Sequence, residues 1–291
     1  MTKKITKAVI PAAGLGTRML PIARAVPKEM LPIVDKPAIS YLVEEAAASG
    51  ITDILIITNR AKGVIEDYFD YSPEYEQKLI SSGKEYMIEE LRRVSELANV
   101  TFIRQKEAKG LGHAVLKAKS FIGDEPFAVL YGDDIIFSQT PVTKQLADAY
   151  EATGKGVAGV KEVSDELIAK YSSLKVEARR DGLFTVTDMI EKPKAGEKFS
   201  NLAILGRVIL PPSIFDIIEN TPPGAGGEIQ LTDAMKALAQ RETMIAHVFE
   251  GTRYDMGSKL GFLKANVEQA IQHPELGKEF TEYLRELLKT L

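Results

Sequence analysis

The hydrophobic pattern of the chain changes character half-way along. In the first half, short continuous apolar runs alternate with stretches of helical period. Ala8-Val9-Ile10, Val100 to Arg104 and Phe127 to Tyr131 read as strands, and Ile54 to Thr58 as a strand of the type buried on both faces. Lys36 to Gly50 predicts a helix, with Pro37 near its start, Gly50 at its end, and Tyr41, Leu42 and Ala46 facing inward. Val64 to Phe69 and Gly112 to Phe121 predict two more. Pro73 to Ala98 is long, charged and loosely periodic, and reads as one or two surface helices broken near Ser81-Ser82-Gly83. Strand and helix in alternation imply a mostly parallel sheet with right-handed crossovers, covered on both sides.

From Gly156 the rhythm is different. Val157 to Val163, Leu174 to Ala178, Phe184 to Ile190 and Leu202 to Ile209 are strand candidates with little helix between them. This half is expected to be more antiparallel, packed against the first sheet or continuing it. Pro211 to Glu219 and Leu231 to Gln240 read as helices, and Ile245 to Phe249 as a strand. In the tail, Leu276, Phe280, Leu284, Leu287, Leu288 and Leu291 form a seam at spacings of three and four. Such a seam is expected to dock on the chain's own core, with a dimer contact as the alternative. No internal repeat or linker interrupts the 291 residues.

Composition mainly excludes. With 45% hydrophobic and 27% charged residues, the chain resembles a soluble globular protein able to bury a substantial core. A net charge of −4 argues against general nucleic-acid binding, which needs a basic face. No run approaches the roughly 20 apolar residues needed to cross a bilayer. The opening Met1-Thr2-Lys3-Lys4 has charge with no apolar signal segment behind it. Zero cysteines removes disulfides, thiolate catalysis and Cys-type zinc sites. A cytoplasmic location is expected. His113, His247 and His273 are scattered and no G-x-S-x-G elbow occurs. Chemistry is left to carboxylates, Lys, Arg, backbone amides and a metal.

The first strand empties into Ala12-Ala13-Gly14-Leu15-Gly16-Thr17-Arg18. Glycines let backbone amides turn inward and approach a ligand, forming an anion cradle. Residues 1 to 28 contain no Asp or Glu, while Arg18, Arg24 and Lys28 follow the turn. That local excess suggests phosphate. A Walker loop is absent, and Met19 stands where a dinucleotide fingerprint needs its third glycine. The second strand ends in Thr58-Asn59-Arg60 rather than an acid, so a dehydrogenase is excluded. A tight turn without a ligand is the competing reading of the glycines.

Ligands in open α/β sheets bind beyond the carboxyl ends of strands, where the glycine turn and Asp133 both fall. Asp133 reads as a Mg²⁺ ligand or as a turn aspartate. Asp255 reads as a second ligand or a helix N-cap, although Ser258 is at least as good a cap. Glu191-Lys192-Pro193 follows a strand, so Lys192 could reach a phosphate from a stiffened backbone. Gln105 begins a second glycine-bearing turn and can pair with a base edge that alternates donor and acceptor. His113 reads as structural. Together these are the parts needed for nucleotidyl transfer, which runs on positioning and charge neutralisation.

Six ordered motifs carry a specific resemblance. Ala12-Ala13-Gly14-Leu15-Gly16-Thr17-Arg18, Pro27-Lys28-Glu29-Met30-Leu31-Pro32, Lys109-Gly110-Leu111-Gly112-His113-Ala114, Glu191-Lys192-Pro193, Gly227 to Asp233 and Tyr254-Asp255-Met256-Gly257 resemble bacterial UTP–glucose-1-phosphate uridylyltransferase. The similarity runs essentially from Lys4 to the C-terminal helix, and the long segment Pro73 to Ala98 resembles this bacterial branch more than the shorter thymidylyltransferases.

The resemblance implies a Rossmann-like nucleotidyltransferase fold in the α/β class. A mixed, mostly parallel central sheet would be flanked by helices, with additional antiparallel strands and a C-terminal helix. It implies one domain with a nucleotide-binding half (1–155), a sugar-binding half (156–256) and C-terminal helices (257–291) available for dimerisation. It also implies Mg²⁺ as cofactor and a homodimer or homotetramer, with no nucleic-acid or membrane partner. Nucleotide contacts would come from Ala13, Gly14, Leu15, Gly16, Gln105 and Gly110. Arg18 and Lys28 would neutralise the triphosphate, Asp133 and Asp255 hold the metal, and Lys192 the sugar phosphate. Glu191, Ser172 and Asp134 would face the sugar. The implied reaction joins UTP and glucose 1-phosphate and expels pyrophosphate. Departures are Ala23-Arg24 in place of Thr-Lys, Ser172 in place of a sugar-contacting glycine, and Val208 in place of a frequent Tyr. They leave open another hexose 1-phosphate, dTTP, or a non-catalytic UDP-sugar-binding paralogue.

Overall fold

A computed structural model describes residues 3–178 and 182–290. Met1 and Thr2 of the opening segment, and Leu291 of the tail seam, lie outside the described residues. The fold is built outward from β1 (Lys7–Pro11), whose Ala8, Val9 and Ile10 are wholly buried. A small ribbon, β2 (Pro32–Ile33) with β3 (Lys36–Pro37), precedes α1 (Ala38–Ala48). The predicted helix start at Lys36 is therefore spent on the ribbon; Leu42 and Ala46 face inward and Tyr41 is half-buried.

Next come β4 (Asp53–Thr58), α2 (Gly63–Phe69), α3 (Pro73–Ser81), α4 (Ile88–Glu96) and β5 (Asn99–Arg104). The surface segment is two helices, and the chain turns between them at Gly83, φ +68°. Gly112 to Phe121 is not one helix but α5 (Leu111–Leu116) and α6 (Lys119–Ile122). Between these, the amides of Lys117 and Ala118 bond three residues back, tightening the helix until it breaks.

β6 (Phe127–Leu130) is followed by two elements that the hydrophobic pattern did not mark, β7 (Asp134–Phe137) and α7 (Val142–Thr153). The second half holds β8 (Gly156–Glu162), α8 (Asp165–Ile168), β9 (Ser172–Ala178), β10 (Leu183–Glu191) and β11 (Leu202–Leu210). After α9 (Ile214–Glu219) and α10 (Leu231–Glu242) come β12 (Met244–Val248) and β13 (Thr252–Asp255). α11 (Lys259–Gln272) and α12 (Gly277–Leu288) close the described chain.

Nine strands form one sheet in the order β5-β4-β1-β6-β11-β8-β12-β10-β9. β5, β4, β1 and β6 are mutually parallel. β11 then pairs antiparallel with both β6 and β8, so the second half continues the first sheet. Beyond it β12 is parallel to β8, and β10 is antiparallel to β12 and β9. Strand alternation sends Ala8, Ile10, Ile54 and Ile56 to the core on one face, and Val9, Leu55 and Ile57 to the core on the other. That two-sided burial explains the continuous apolar runs. Val208 is wholly buried in β11. β7 and β13 pair as a separate ribbon that sets Asp255 opposite Asp134.

The tail corrects one expectation. The seam of α12 does not dock on the core: Leu276, Leu287 and Leu288 are exposed, and Phe280 and Leu284 are half-buried. α12 packs on α11, which is itself peripheral, with Ala265 its one buried residue. No helix among the described residues is long and apolar enough to cross a membrane.

One buried ion pair ties both parts of the sheet together. Arg207 of β11 donates from Nε to Glu45 Oε1 (2.9 Å) and from Nη2 to Oε2 (2.7 Å). Its Nη1 donates to the carbonyls of Asp134 (2.9 Å) and Gly206 (2.8 Å). Thr143 of α7 donates its N–H and hydroxyl to Glu45. Burial pushes the Glu45 carboxyl up, but Arg207 and Thr143 outweigh it and hold the group below its ordinary range. Stability from this carboxylate is thus intact above its unfolded-state pKa and lost as pH falls through the lower folded value. Arg207→Met leaves the charge buried and unpaired. In urea unfolding at neutral pH it should cost about 3–5 kcal/mol, and the deficit should shrink in acid as Glu45 takes a proton. A neutral-pH loss under about 1 kcal/mol would contradict this.

Candidate active site

Beyond Pro11 the chain turns across the carboxyl edge of the sheet. Gly16 takes φ +67°, in the left-handed region where a side chain is disfavoured. Ala12 still bonds Ile57 O (2.8 Å), yet the amides of Ala13, Gly14, Leu15 and Gly16 have no acceptor among the described residues. Asn59, just past β4, holds the turn from its other side by donating to Ala13 O (2.7 Å). A cavity of about 410 Å³ opens over these four donors, walled also by Lys28, Gln105, Gly110 and Asp133. Gln105 is buried; its Nε2 lies 3.2 Å from Gly110 O and 2.9 Å from His113 Nδ1. Burial, then Lys117 and Lys109, lower the pKa of His113, which favours the neutral ring as acceptor. His113, expected to be structural, thus orients the Gln105 amide.

β6 exits into Tyr131-Gly132-Asp133, and Asp133 stands where this cavity meets a second one of about 540 Å³. Lys28 Nζ is 2.5 Å from Asp133 Oδ2. Arg18 bridges the acids, with Nη2 3.5 Å from Asp133 Oδ2 and Nη1 3.2 Å from Asp255 Oδ2. Burial pushes Asp133 up, but Lys28, Arg18 and Arg253 hold it below the usual carboxylate range. Lys28 answers: burial lowers it, yet Asp133 and Glu29 raise it on balance. Asp255 Oδ1 accepts from Gly257 N (2.9 Å), while Ser258 caps α11 through Gly261 N (3.1 Å). Asp255 is therefore not the N-cap.

Whether two carboxylates could share an ion is decided at Gly257. A Cβ there would lie 2.6 Å from Asp133 Oδ2, 3.0 Å from Asp255 Oδ1 and 2.5 Å from Arg18 Nη2. Both acids therefore approach the same glycine, with the Arg18 guanidinium between them, and a side chain at this position would push them apart. Among the described residues no group of three or more His, Cys, Asp or Glu side chains is arranged around an ion. Two carboxylates with space for phosphate oxygens and water is the donor set that Mg²⁺ favours. The residues fit the ion.

The second cavity is lined by Ser172, Glu191, Lys192, Asp134 and Arg253, among others. Thr232 donates to Glu191 Oε2 (2.7 Å), and burial pushes the Glu191 carboxyl up against the opposing pull of Thr232 and Lys192. Lys192 has φ +48°, strained for a non-glycine residue, and its N–H bonds Tyr171 O (2.9 Å). Its ammonium is 3.9 Å from Glu191 Oε1. Ser172 is buried and accepts from Ile204 N (3.2 Å). Asp134 reaches the wall, but Arg253 engages its carboxylate, with Nε 2.7 Å from Oδ1. Burial lifts Asp134 to about 6, against Arg253 and with Asp133 and Asp255. Arg253 also donates to the Tyr171 hydroxyl (2.8 Å) and lies 4.7 Å over its ring.

Arg253, Asn59 and Thr232 were not singled out from sequence. Arg253 and Asp255 are two apart on one strand and so share a face, a usable signal. Asn59 ends a parallel strand at the ligand edge, another.

Comparison with known proteins gives the family of the chain and its fold. The nucleotidyl transferase family model matches residues 7–271. UTP–glucose-1-phosphate uridylyltransferase of Staphylococcus epidermidis is 50% identical, over 98% of this chain and 99% of the relative. UTP–glucose-1-phosphate uridylyltransferase YngB of Bacillus subtilis is 51% identical, over 99% and 97%. The crystal structure of a UDP-glucose pyrophosphorylase complexed with UDP-glucose superposes with a TM-score of 0.85 at 42% identity, covering 92% of this chain and 100% of that one. A UTP-bound UGPase from Acinetobacter baumannii gives 0.90 at 39% identity, covering 97% and 99%. The chain belongs to the nucleotidyl transferase family, within its UTP–glucose-1-phosphate uridylyltransferase branch.

Proposed function

We propose that the chain catalyses UTP + α-D-glucose 1-phosphate → UDP-glucose + pyrophosphate, with Mg²⁺ as cofactor. The observation that carries this reading is the place of Asp133. It stands at the junction of a cavity with four free amides and a cavity with Glu191 and Lys192, bridged to Asp255 by Arg18.

In this reading the uracil lies against Ala13 and Gly14, and Gln105, oriented by His113, pairs with its edge. The amides of the glycine turn take the phosphates, with Lys28 and Arg18 supplying positive charge. Lys192 holds the sugar phosphate and Glu191 accepts a sugar hydroxyl. A glucose 1-phosphate oxygen attacks the α-phosphorus as the bond to the bridging oxygen breaks. Pyrophosphate leaves with that electron pair, and no covalent enzyme intermediate forms. Mg²⁺, held by Asp133 and Asp255, would supply neutralisation of the crowded phosphate charge. Asp134 acts through Arg253 as part of the wall. A homo-oligomer belongs to the proposal, supported by the exposed stripe Leu260, Leu263, Val267 and Ile271 on α11. A cytoplasmic location, where nucleoside triphosphates are made, goes with it.

Pyrophosphate release measured across nucleotides and sugar phosphates tests the reading. Turnover with UTP and glucose 1-phosphate is expected, and dTTP and other hexose 1-phosphates measure the effect of Ser172. No turnover with UTP and any hexose 1-phosphate overturns it; UDP-glucose binding without turnover would mark a sensor. Asp133→Asn and Asp255→Asn should each lower kcat about 10²–10³-fold, and EDTA should abolish wild-type turnover until Mg²⁺ is restored. Equal activity with and without chelator would remove the metal from the mechanism. Ionised Glu191 accepts a sugar hydroxyl more strongly than the neutral acid does, and its pKa is raised. The KM for glucose 1-phosphate should therefore fall as pH rises through that value. Glu191→Gln should flatten the dependence and raise KM about tenfold; an unchanged profile would exclude the role.

A further inference from the structure

Resting on the uridylyltransferase reading, the geometry points to a separate seat for the leaving pyrophosphate, with Arg24 as its positioning residue. In-line displacement needs the attacking and leaving oxygens on opposite sides of the α-phosphorus. The attacking sugar phosphate comes from the side of Lys192. The leaving group must therefore depart away from that cavity.

A small cleft of about 60 Å³ meets this requirement. It shares Leu15 and Lys28 with the nucleotide cavity and shares no lining residue with the cavity of Glu191 and Lys192. Lys28, paired with Asp133, thus stands between the reacting centre and the cleft. Three cations, Arg24, Lys28 and Lys62, line it, and no Asp or Glu does. The cavity of Lys192, by contrast, balances its Lys and Arg residues with Asp133, Asp134, Glu191 and Asp255. The cleft also offers Asn59, which already fixes the glycine turn through Ala13 O.

The three cations are differently free. Lys62 is buried and paired with Glu29 Oε2 (2.7 Å). Lys28 is committed to Asp133. Arg24 is exposed, and its guanidinium has no hydrogen bond or ion pair among the described residues. A planar fork of donors suits two phosphoryl groups better than a point charge. Arg24 therefore receives pyrophosphate as the bond to the α-phosphorus breaks, and presents it in the reverse reaction.

Reverse-direction kinetics, with UDP-glucose and pyrophosphate as substrates, separate the cleft from the rest of the site. Arg24→Ala should raise the KM for pyrophosphate about tenfold, with the KM for UDP-glucose within about twofold of wild type. Arg24→Lys should recover part of the loss. A rise in pyrophosphate KM below about fivefold, or a parallel rise for UDP-glucose, overturns the assignment. Arg24 is on the surface, and thermal unfolding of each variant checks that the fold is intact. Wild-type turnover is measured first: its absence sinks the uridylyltransferase reading, whereas wild-type turnover with an unmoved Arg24→Ala sinks the cleft alone.

Discussion

Like charges cannot be brought together in a partly dry place without counter-charge, and this constraint shapes the molecule. Asp133, Asp134 and Asp255 converge where β6 and the β7–β13 ribbon meet. Lys28 and Arg18 meet the first, Arg253 the second and Arg18 the third. Removing Arg253 leaves the buried Asp134 without its ion pair, and removing Arg18 leaves Asp255 without its own. Arg207 extends the same logic inward, since it holds the Asp134 carbonyl while paired with Glu45. The acidic turn is consequently fastened to α1 and to β11, the strand that joins both parts of the sheet.

The supporting groups come from far apart in the chain. Arg18 and Lys28 lie before α1, whereas Asp255 and Gly257 flank the entry to α11. Such a constellation is held by the sheet, not by local sequence. Both cavities also take their lining from short exits: Tyr131 to Asp133 from β6, Glu191 and Lys192 from β10, and Gln105 from β5. Rigid strands with brief exits place these groups more accurately than long loops would.

Much of this was legible from residue order. Continuous apolar runs identify β1 and β4 because both faces of those strands are buried. The glycine turn, its cations and the strand-end acids mark the ligand edge. What escaped has physical reasons. α7 escaped because half of its buried face is Thr143, Ala147 and Ala149, small or polar residues that carry little hydrophobic signal. The break between α5 and α6 is a local tightening with no Gly or Pro to announce it. The tail seam reads as core because periodicity reports an apolar face, not what covers it. Arg253 escaped because its partner, Asp134, is 119 positions away in the chain.

The single sheet of nine strands has a mechanical consequence. Because β11 is hydrogen-bonded to β6 on one side and β8 on the other, rotating one part of the molecule against the other would tear a run of main-chain bonds. Widening the cleft by hinge bending is thereby ruled out as the cheap motion. Any movement that admits substrate then falls to the rim above the carboxyl ends of the strands, while the plate beneath stays still.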